Sequence, residues 1–217
     1  MTASPMVIAL DGPAAAGKGT LARRLAEQYD LAILDTGLLY RAVGWKVVNA
    51  GADPEDAAAA VQAAEALVPS ELESPELRLD QAAQAASKVA VIPDVRANLL
   101  EFQRSFAKNP PDGKKGAVID GRDIGTVVCP DADVKLFLNA SAEVRALRRH
   151  EELLGRGHEA IYARVLDEMK ERDARDASRA VAPLKAADDA FELDTSDLDA
   201  DQVFERVVAF IKTGNRS

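Results

Sequence analysis

Apolar residues in this chain come in short runs, each stopped by a polar or turn-forming residue. Five runs stand out: Val7–Leu10, Ala32–Leu34, Ala117–Ile119, Val134–Leu138 and Phe191–Leu193. Between them apolar positions recur at helical spacing, predicting helices over Gly19–Tyr29, Leu38–Ala50, Ala142–Leu154, Ala160–Asp173 and Asp201–Lys212. Strands apolar on both faces and alternating with helices predict an α/β fold, a parallel five-stranded sheet with helices on both faces. Ligands of such sheets bind beyond the carboxyl ends of the strands. Three runs lead into a carboxylate there: Asp11, Asp35 and Asp120. Each could simply cap a turn, but three at equivalent strand ends favour a shared polar site.

Two stretches break the alternation. Residues 51–111 are Ala-rich and helical in pattern, and ELESPELRL within them could at most make a short hairpin. Residues 145–179 carry eight arginines: Arg145, Arg148, Arg149, Arg156, Arg164, Arg172, Arg175 and Arg179. Both read as insertions on a single core built from 5–40, 112–148 and 184–217, with one insertion at 41–111 and another at 149–183.

DGPAAAGKGT, residues 11–20, lies between the first strand and the first helix. A glycine-rich turn in that position points backbone N–H groups at phosphate oxygens, and a following Lys neutralises them. The nucleotide-binding stretch is therefore Gly12, Pro13, Ala14, Ala15, Ala16, Gly17, Lys18, Gly19 and Thr20, the phosphate loop of a P-loop NTPase. Position 19 holds Gly where the general pattern has Ser or Thr, and the hydroxyl arrives at Thr20. That G-K-G-T ending resembles nucleoside monophosphate kinases. No [NT]-K-x-D or D-x-x-G motif is present, which disfavours a GTPase switch.

A second set of anion-binding candidates follows. LDTGLLYRA places Thr36 at a helix start and Arg41 one turn on. IDGRDIGT puts Arg122 and Asp123 just past Asp120; they could pair with each other or divide a phosphate and a base amine between them. In ERDARDASRAVAPL, Arg172, Arg175 and Arg179 continue the apolar stripe of Ile161, Val165 and Met169 if the helix persists, so a core face turns into arginine. Helical pairing of Glu168 with Arg172 and Glu171 with Arg175 is the competing role.

Composition narrows the choice. The 217 residues are 47% hydrophobic and 29% charged, with net charge −9. An acidic chain with ten Phe, Tyr and Trp residues argues against a nucleic-acid scaffold. No apolar stretch is long enough to span a membrane, and MTASPMVIALDG lacks the basic start of a signal peptide, so a cytoplasmic protein is expected. Cys129 is alone, which excludes a disulfide within the chain and suits a small packing residue. A dedicated protein metal site is not expected, and a monomer is.

Taken in order, GPAAAGKGT, DTGLLYR, AASKVA, DVR, DGRDIGT and ERDARDASRAVAPL resemble the motif series of the bacterial cytidylate kinases, from near residue 7 to the last helix. The resemblance implies transfer of the γ-phosphoryl group of ATP, with Mg²⁺, to CMP or dCMP. It implies that Ser87, Arg96 and Asp123 read cytosine. Arg41, Arg122 and Arg179 would hold the acceptor phosphate with Thr36 nearby, and Arg172 and Asp176 would meet the sugar. Lys18, Arg122, Arg172 and Arg179 would carry the catalytic charge. Thr20 directly, or Asp120 through water, are the candidates for contact with Mg²⁺. The chain departs from the family in one place: SELESPELRLDQ replaces a β-rich insert of several dozen residues. Thr36 and Leu38 stand where Ser and Ala are frequent. A kinase of another monophosphate such as UMP, and a module that holds ATP without turning it over, remain as alternatives.

Overall fold

In the computed structural model, which describes residues 4–179 and 181–213, five strands form one all-parallel sheet in the order β2-β3-β1-β4-β5. The strands are β1 Met6–Asp11, β2 Ala32–Asp35, β3 Gly116–Asp120, β4 Val134–Asn139 and β5 Phe191–Asp194, one for each apolar run. Central β1 pairs Ile8 with Val118 on one side and Val134 on the other, and residues 8–10 are shut off from solvent. The ends of 1–217 at 1–3 and 214–217, and Ala180 of the RAVAPL motif, lie outside the described residues.

Helices cover both faces. Helices α1 (Lys18–Tyr29) and α8 (Ala200–Thr213) lay Leu21, Leu25, Val203 and Val207 over Ile8, Leu10, Leu136 and Leu138. On the other face α5 (Pro93–Lys108) and a π-helical turn at Ile124–Val128 close over Ala9, Leu34, Ala117 and Ile119. Cys129 packs at the edge of this second cluster, and burial raises its thiol pKa. Among the described residues no helix is long and apolar enough to cross a membrane.

The chain leaves the sheet twice. After β2, helices α2 (Thr36–Asn49), α3 (Ala57–Glu65), α4 (Asp80–Val89) and α5 bury a core of their own around Leu39, Val43, Val47, Val89, Val95 and Leu99. The ELESPELRL stretch is not a hairpin: it lies in two 3₁₀ turns, Pro69–Glu73 and Pro75–Arg78. Each begins with proline, which suits the first helical position and cannot serve a strand ladder. After β4, α6 (Ala142–Gly155) and α7 (Tyr162–Ala177) pack through Ala146, Leu153, Val165 and Met169, and Ala14 and Ala15 of the glycine-rich loop rest against this cluster.

The arginine face needs correction. Helix α7 starts at Tyr162, leaving Ile161 58% exposed, and ends at Ala177, so Arg179 lies past its C-cap. At about 100° per residue Arg172 and Asp176 continue the face of Val165 and Met169, and Arg175 does not. Asp176 is 1% exposed and becomes the centre on which arginines converge.

Candidate active site

The loop after β1 is shaped by two glycines. Gly12 has φ 143°, and a Cβ there would fall 2.0 Å from the Leu138 carbonyl oxygen of β4. Gly17, with φ 92°, caps α1 without a side-chain partner, so the first N–H groups of the helix open outward. Gly12 and Pro13 are buried beneath the loop, and Ala16 turns to the far side, where its carbonyl accepts from Thr195 at 3.3 Å. Ala14, Ala15, Gly17, Lys18, Gly19 and Thr20 line a cavity of about 350 Å³. Among the described residues only the flexible Arg23 guanidinium, 3.9 Å away, approaches the place of a Cβ at Gly19, so any demand for glycine there comes from what occupies the cavity.

Lys18 folds across the loop. Its Nζ donates to the Pro13 carbonyl at 2.9 Å and stands 3.7 Å from Asp120. Burial, reinforced by Arg122, pushes the ammonium below its ordinary pKa, and burial raises that of Asp120. The three strand-end carboxylates divide their work. Asp120 and Asp35 are register partners and both border this cavity. Asp35, rather than Thr36, caps α2, accepting from Gly37 N at 2.9 Å. Asp11 sits behind, accepting from Ile124 N and Gly125 N at 2.8 Å each and so fixing the turn that carries Asp123. Burial raises its pKa to about 6.

A second, narrower cavity backs onto the first. It brings together Thr36, Ser87, Arg96, Arg122, Asp123, Arg172, Asp176 and Arg179. Asp35, Gly37, Asp120, Arg122 and Arg172 belong to both cavities and form a common wall. Arg41 faces the first cavity and donates to the Leu77 carbonyl at 2.8 Å. Most polar groups of the second cavity are satisfied by one another. Thr36 Oγ1 donates to the Asp120 carbonyl at 2.8 Å, Arg96 pairs with Asp123, and Arg175 Nε donates to Ser87 Oγ at 3.1 Å. Arg122 Nε donates to Asp176 at 3.1 Å, and Arg179 pairs with the other Asp176 oxygen.

One carboxylate does not satisfy this much positive charge. Burial alone would raise the Asp176 pKa, but Arg122, Arg179 and Arg172 outweigh it and hold the group ionised. Arg172 is pushed down by burial and by Arg122, Arg41 and Arg179. The buried Nε groups of Arg172 and Arg179 have no hydrogen-bond partner among the described residues. Unmatched buried guanidinium donors facing a cavity are chemically complementary to an oxyanion such as phosphate.

Residues not singled out from sequence also shape the site. The Tyr40 ring lies under the Arg96 guanidinium, 5.6 Å from its carbon to the ring centroid, and borders the second cavity. Its position one helical turn after Thr36 was the available signal. Arg145, 5% exposed, donates to the Ala14 and Ala140 carbonyls and to Asp173, tying the loop to α7. Arg148 donates to Thr195 beside a third cavity of about 390 Å³, bordered also by Leu198 and Val203 at the outer edge of the loop.

The chain is 63% identical over 205 residues to the cytidylate kinase of Paramagnetospirillum magneticum, covering 94% of this chain and 97% of that one. It is 60% identical over 197 residues to the cytidylate kinase of Rhodospirillum rubrum, 91% and 92% of the two chains. A solved structure of an uncharacterized protein from Eubacterium ventriosum superposes with a TM-score of 0.54 at 17% identity, over 96% of this chain and 99% of that one, a likeness of fold. The family model for cytidylate kinase matches residues 8–213, and the chain belongs to that family of kinases.

Proposed function

We propose that the protein transfers the γ-phosphoryl group of ATP to CMP or dCMP, giving ADP and CDP or dCDP, as a step of pyrimidine nucleotide metabolism. The observation that carries this reading is the common wall: Arg122 and Arg172 face both the phosphate-loop cavity and the second, arginine-lined cavity. A protein that merely holds one nucleotide has no use for two anion sites back to back. A kinase needs that arrangement, because donor and acceptor must meet in line with positive charge around the moving group.

ATP phosphates would lie on the N–H groups of Gly17–Thr20, with Lys18 leaving the Pro13 carbonyl for them, and adenine would take the cavity bordered by Arg148, Thr195, Leu198 and Val203. The acceptor phosphate would meet Arg41, Arg122 and Arg179, beside Thr36. Cytosine would lie against Ser87, Arg96 and Asp123, its exocyclic amine donating to the carboxylate, and Arg172 and Asp176 would face the sugar. Lys18, Arg122, Arg172 and Arg179 hold transition-state charge, and no general base is needed because the attacking oxygen is already anionic. Segment 41–111 acts as the acceptor-binding part and 149–183 as a lid that excludes water.

Mg²⁺ supplies neutralisation of the β- and γ-phosphate oxygens when bound with ATP. Two residues bordering the phosphate-loop cavity would hold an ion that arrives with the nucleotide: Thr20 by its exposed hydroxyl, and Asp120 through water. Acting on free nucleotides, the chain is proposed to work as a cytoplasmic monomer without a nucleic-acid or membrane partner. The test is ADP formation from ATP and Mg²⁺ across a panel of nucleoside monophosphates. Formation that depends on CMP or dCMP is expected; formation independent of any acceptor, or a preference for UMP, overturns the reading.

A further inference from the structure

Arg175 on α7 spans two side chains of α4. Its Nε donates to Ser87 Oγ at 3.1 Å and its Nη2 to Gln84 Oε1 at 3.0 Å. Gln84 and Ser87 are three residues apart and so share one helix face, and the planar guanidinium edge matches that spacing. The other partner of Arg175 is Glu171 at 3.9 Å, with Glu171 72% exposed, an ion pair of little weight. Ser87 is 2% exposed and borders the second cavity, beside Arg96 and Asp123.

A serine hydroxyl has one donor proton and two acceptor lone pairs, and it rotates to suit its surroundings. Left free, it satisfies a donor or an acceptor on a base equally well and separates them poorly. Cytosine and uracil differ by exchange of donor and acceptor at ring positions 3 and 4. A reader of that edge discriminates better the fewer orientations are open to it. Occupying one lone pair of Ser87 from behind bars the proton from that side, so the two staggered orientations that remain both keep the proton and the other lone pair toward the cavity.

We propose that Arg175 is a positioning residue for base recognition, setting the orientation of the Ser87 hydroxyl from the opposing helix. The proposal rests on the reading of Ser87 as a base contact. It also links that contact to α7, which carries Arg172 and Asp176, so the helix facing sugar and phosphate holds the base reader in place.

Steady-state kinetics with CMP and UMP on the full chain test it, using Ser87→Ala, Arg175→Ala, Arg175→Lys and the Ser87→Ala/Arg175→Ala double variant. Ser87→Ala is expected to raise the CMP KM about tenfold, the loss of roughly one hydrogen bond. Arg175→Ala should lower the CMP-to-UMP ratio of kcat/KM by a similar factor, about tenfold, with the KM for ATP unchanged. Arg175→Lys keeps the charge without the planar fork and should not restore the ratio; it also carries the test if the alanine variant melts early. The double variant should be no worse than Ser87→Ala alone. A ratio that holds in both Arg175 variants while Ser87→Ala shifts it, or additive losses in the double variant, overturns the role of Arg175. If Ser87→Ala leaves both the CMP KM and the ratio intact, the base contact itself is wrong, and the proposal falls with it.

Discussion

Arg145 and Asp173 meet as a two-pronged pair, with Nη1 3.1 Å and Nη2 2.6 Å from the two carboxylate oxygens. The same guanidinium reaches the Ala14 carbonyl at 3.3 Å and the Ala140 carbonyl at 2.9 Å. One buried side chain from α6 thus joins the phosphate loop, the exit of β4 and helix α7. Arg145→Met keeps much of the volume and removes every donor. It should destabilise the fold by about 2–3 kcal/mol and raise the KM for ATP, whereas Asp173→Asn, at a more exposed position, should cost less. Urea unfolding beside ATP titration checks both effects; equal losses for the two variants would contradict the central place given to Arg145.

Lys18 is held in an unfavourable setting, buried next to Arg122 and balanced by Asp120. Lys18→Ala should therefore fold as stably as the native chain while turnover drops by roughly 10²–10³, the scale of losing one preorganised charge. Thermal melts and kcat measured on the same preparation decide it. A near-native kcat would remove Lys18 from the chemistry.

Arg41 borders the first cavity and Arg179 the second, and both are proposed to hold the acceptor phosphate. Replacing either with Ala should raise the CMP KM by about 10- to 100-fold, the range for a charge-assisted hydrogen bond. The KM for ATP should move little. Arg179→Ala also frees one side of Asp176, so its effect should exceed that of Arg41, whose resting partner is only the Leu77 carbonyl. The opposite ranking would argue against convergence on Asp176.

Asp11 gives the fold a pH signature. Its folded pKa of about 6 lies above its ordinary 3.8, so the folded chain keeps a proton that the unfolded chain has released. Its contribution to stability is full below about pH 4 and is lost as pH rises through 6, a change of about 3 kcal/mol at most. Asp11→Asn removes this titration. The stability of the variant relative to the native chain should improve steadily from pH 4 to pH 7 in urea unfolding. Parallel curves would mean that Asp11 is already charged at low pH.

Periodicity made the sheet legible. Strands buried on both faces show as unbroken apolar runs, and Val7–Leu10 or Val134–Leu138 could scarcely be anything else. The phosphate loop was legible because Gly12 and Gly17 meet local demands of the backbone and Lys18 follows Gly17 directly. Less visible was what depends on contacts between distant segments. That Asp35 rather than Thr36 caps α2 goes with a contact 84 positions away, since the Thr36 hydroxyl is engaged by the Asp120 carbonyl. That Asp176 is the centre of the arginine cluster follows from where α7 begins, one residue past Ile161, and from Arg122 arriving 54 positions away. The link from Arg175 to Ser87 crosses 88 positions and leaves no trace in local spacing. The two 3₁₀ turns could have been anticipated, since Pro69 and Pro75 each announce a helical start.

The unpartnered Nε atoms of Arg172 and Arg179 affect how the protein behaves in any vial. Cations crowded around the single carboxylate of Asp176 strain the native state, and a multivalent oxyanion that settles among them relieves it in proportion to occupancy. Phosphate or sulfate buffer should thus make the protein look sturdier on heating while competing with the monophosphate substrate, so buffer choice alone would shift both its apparent robustness and its apparent appetite for CMP.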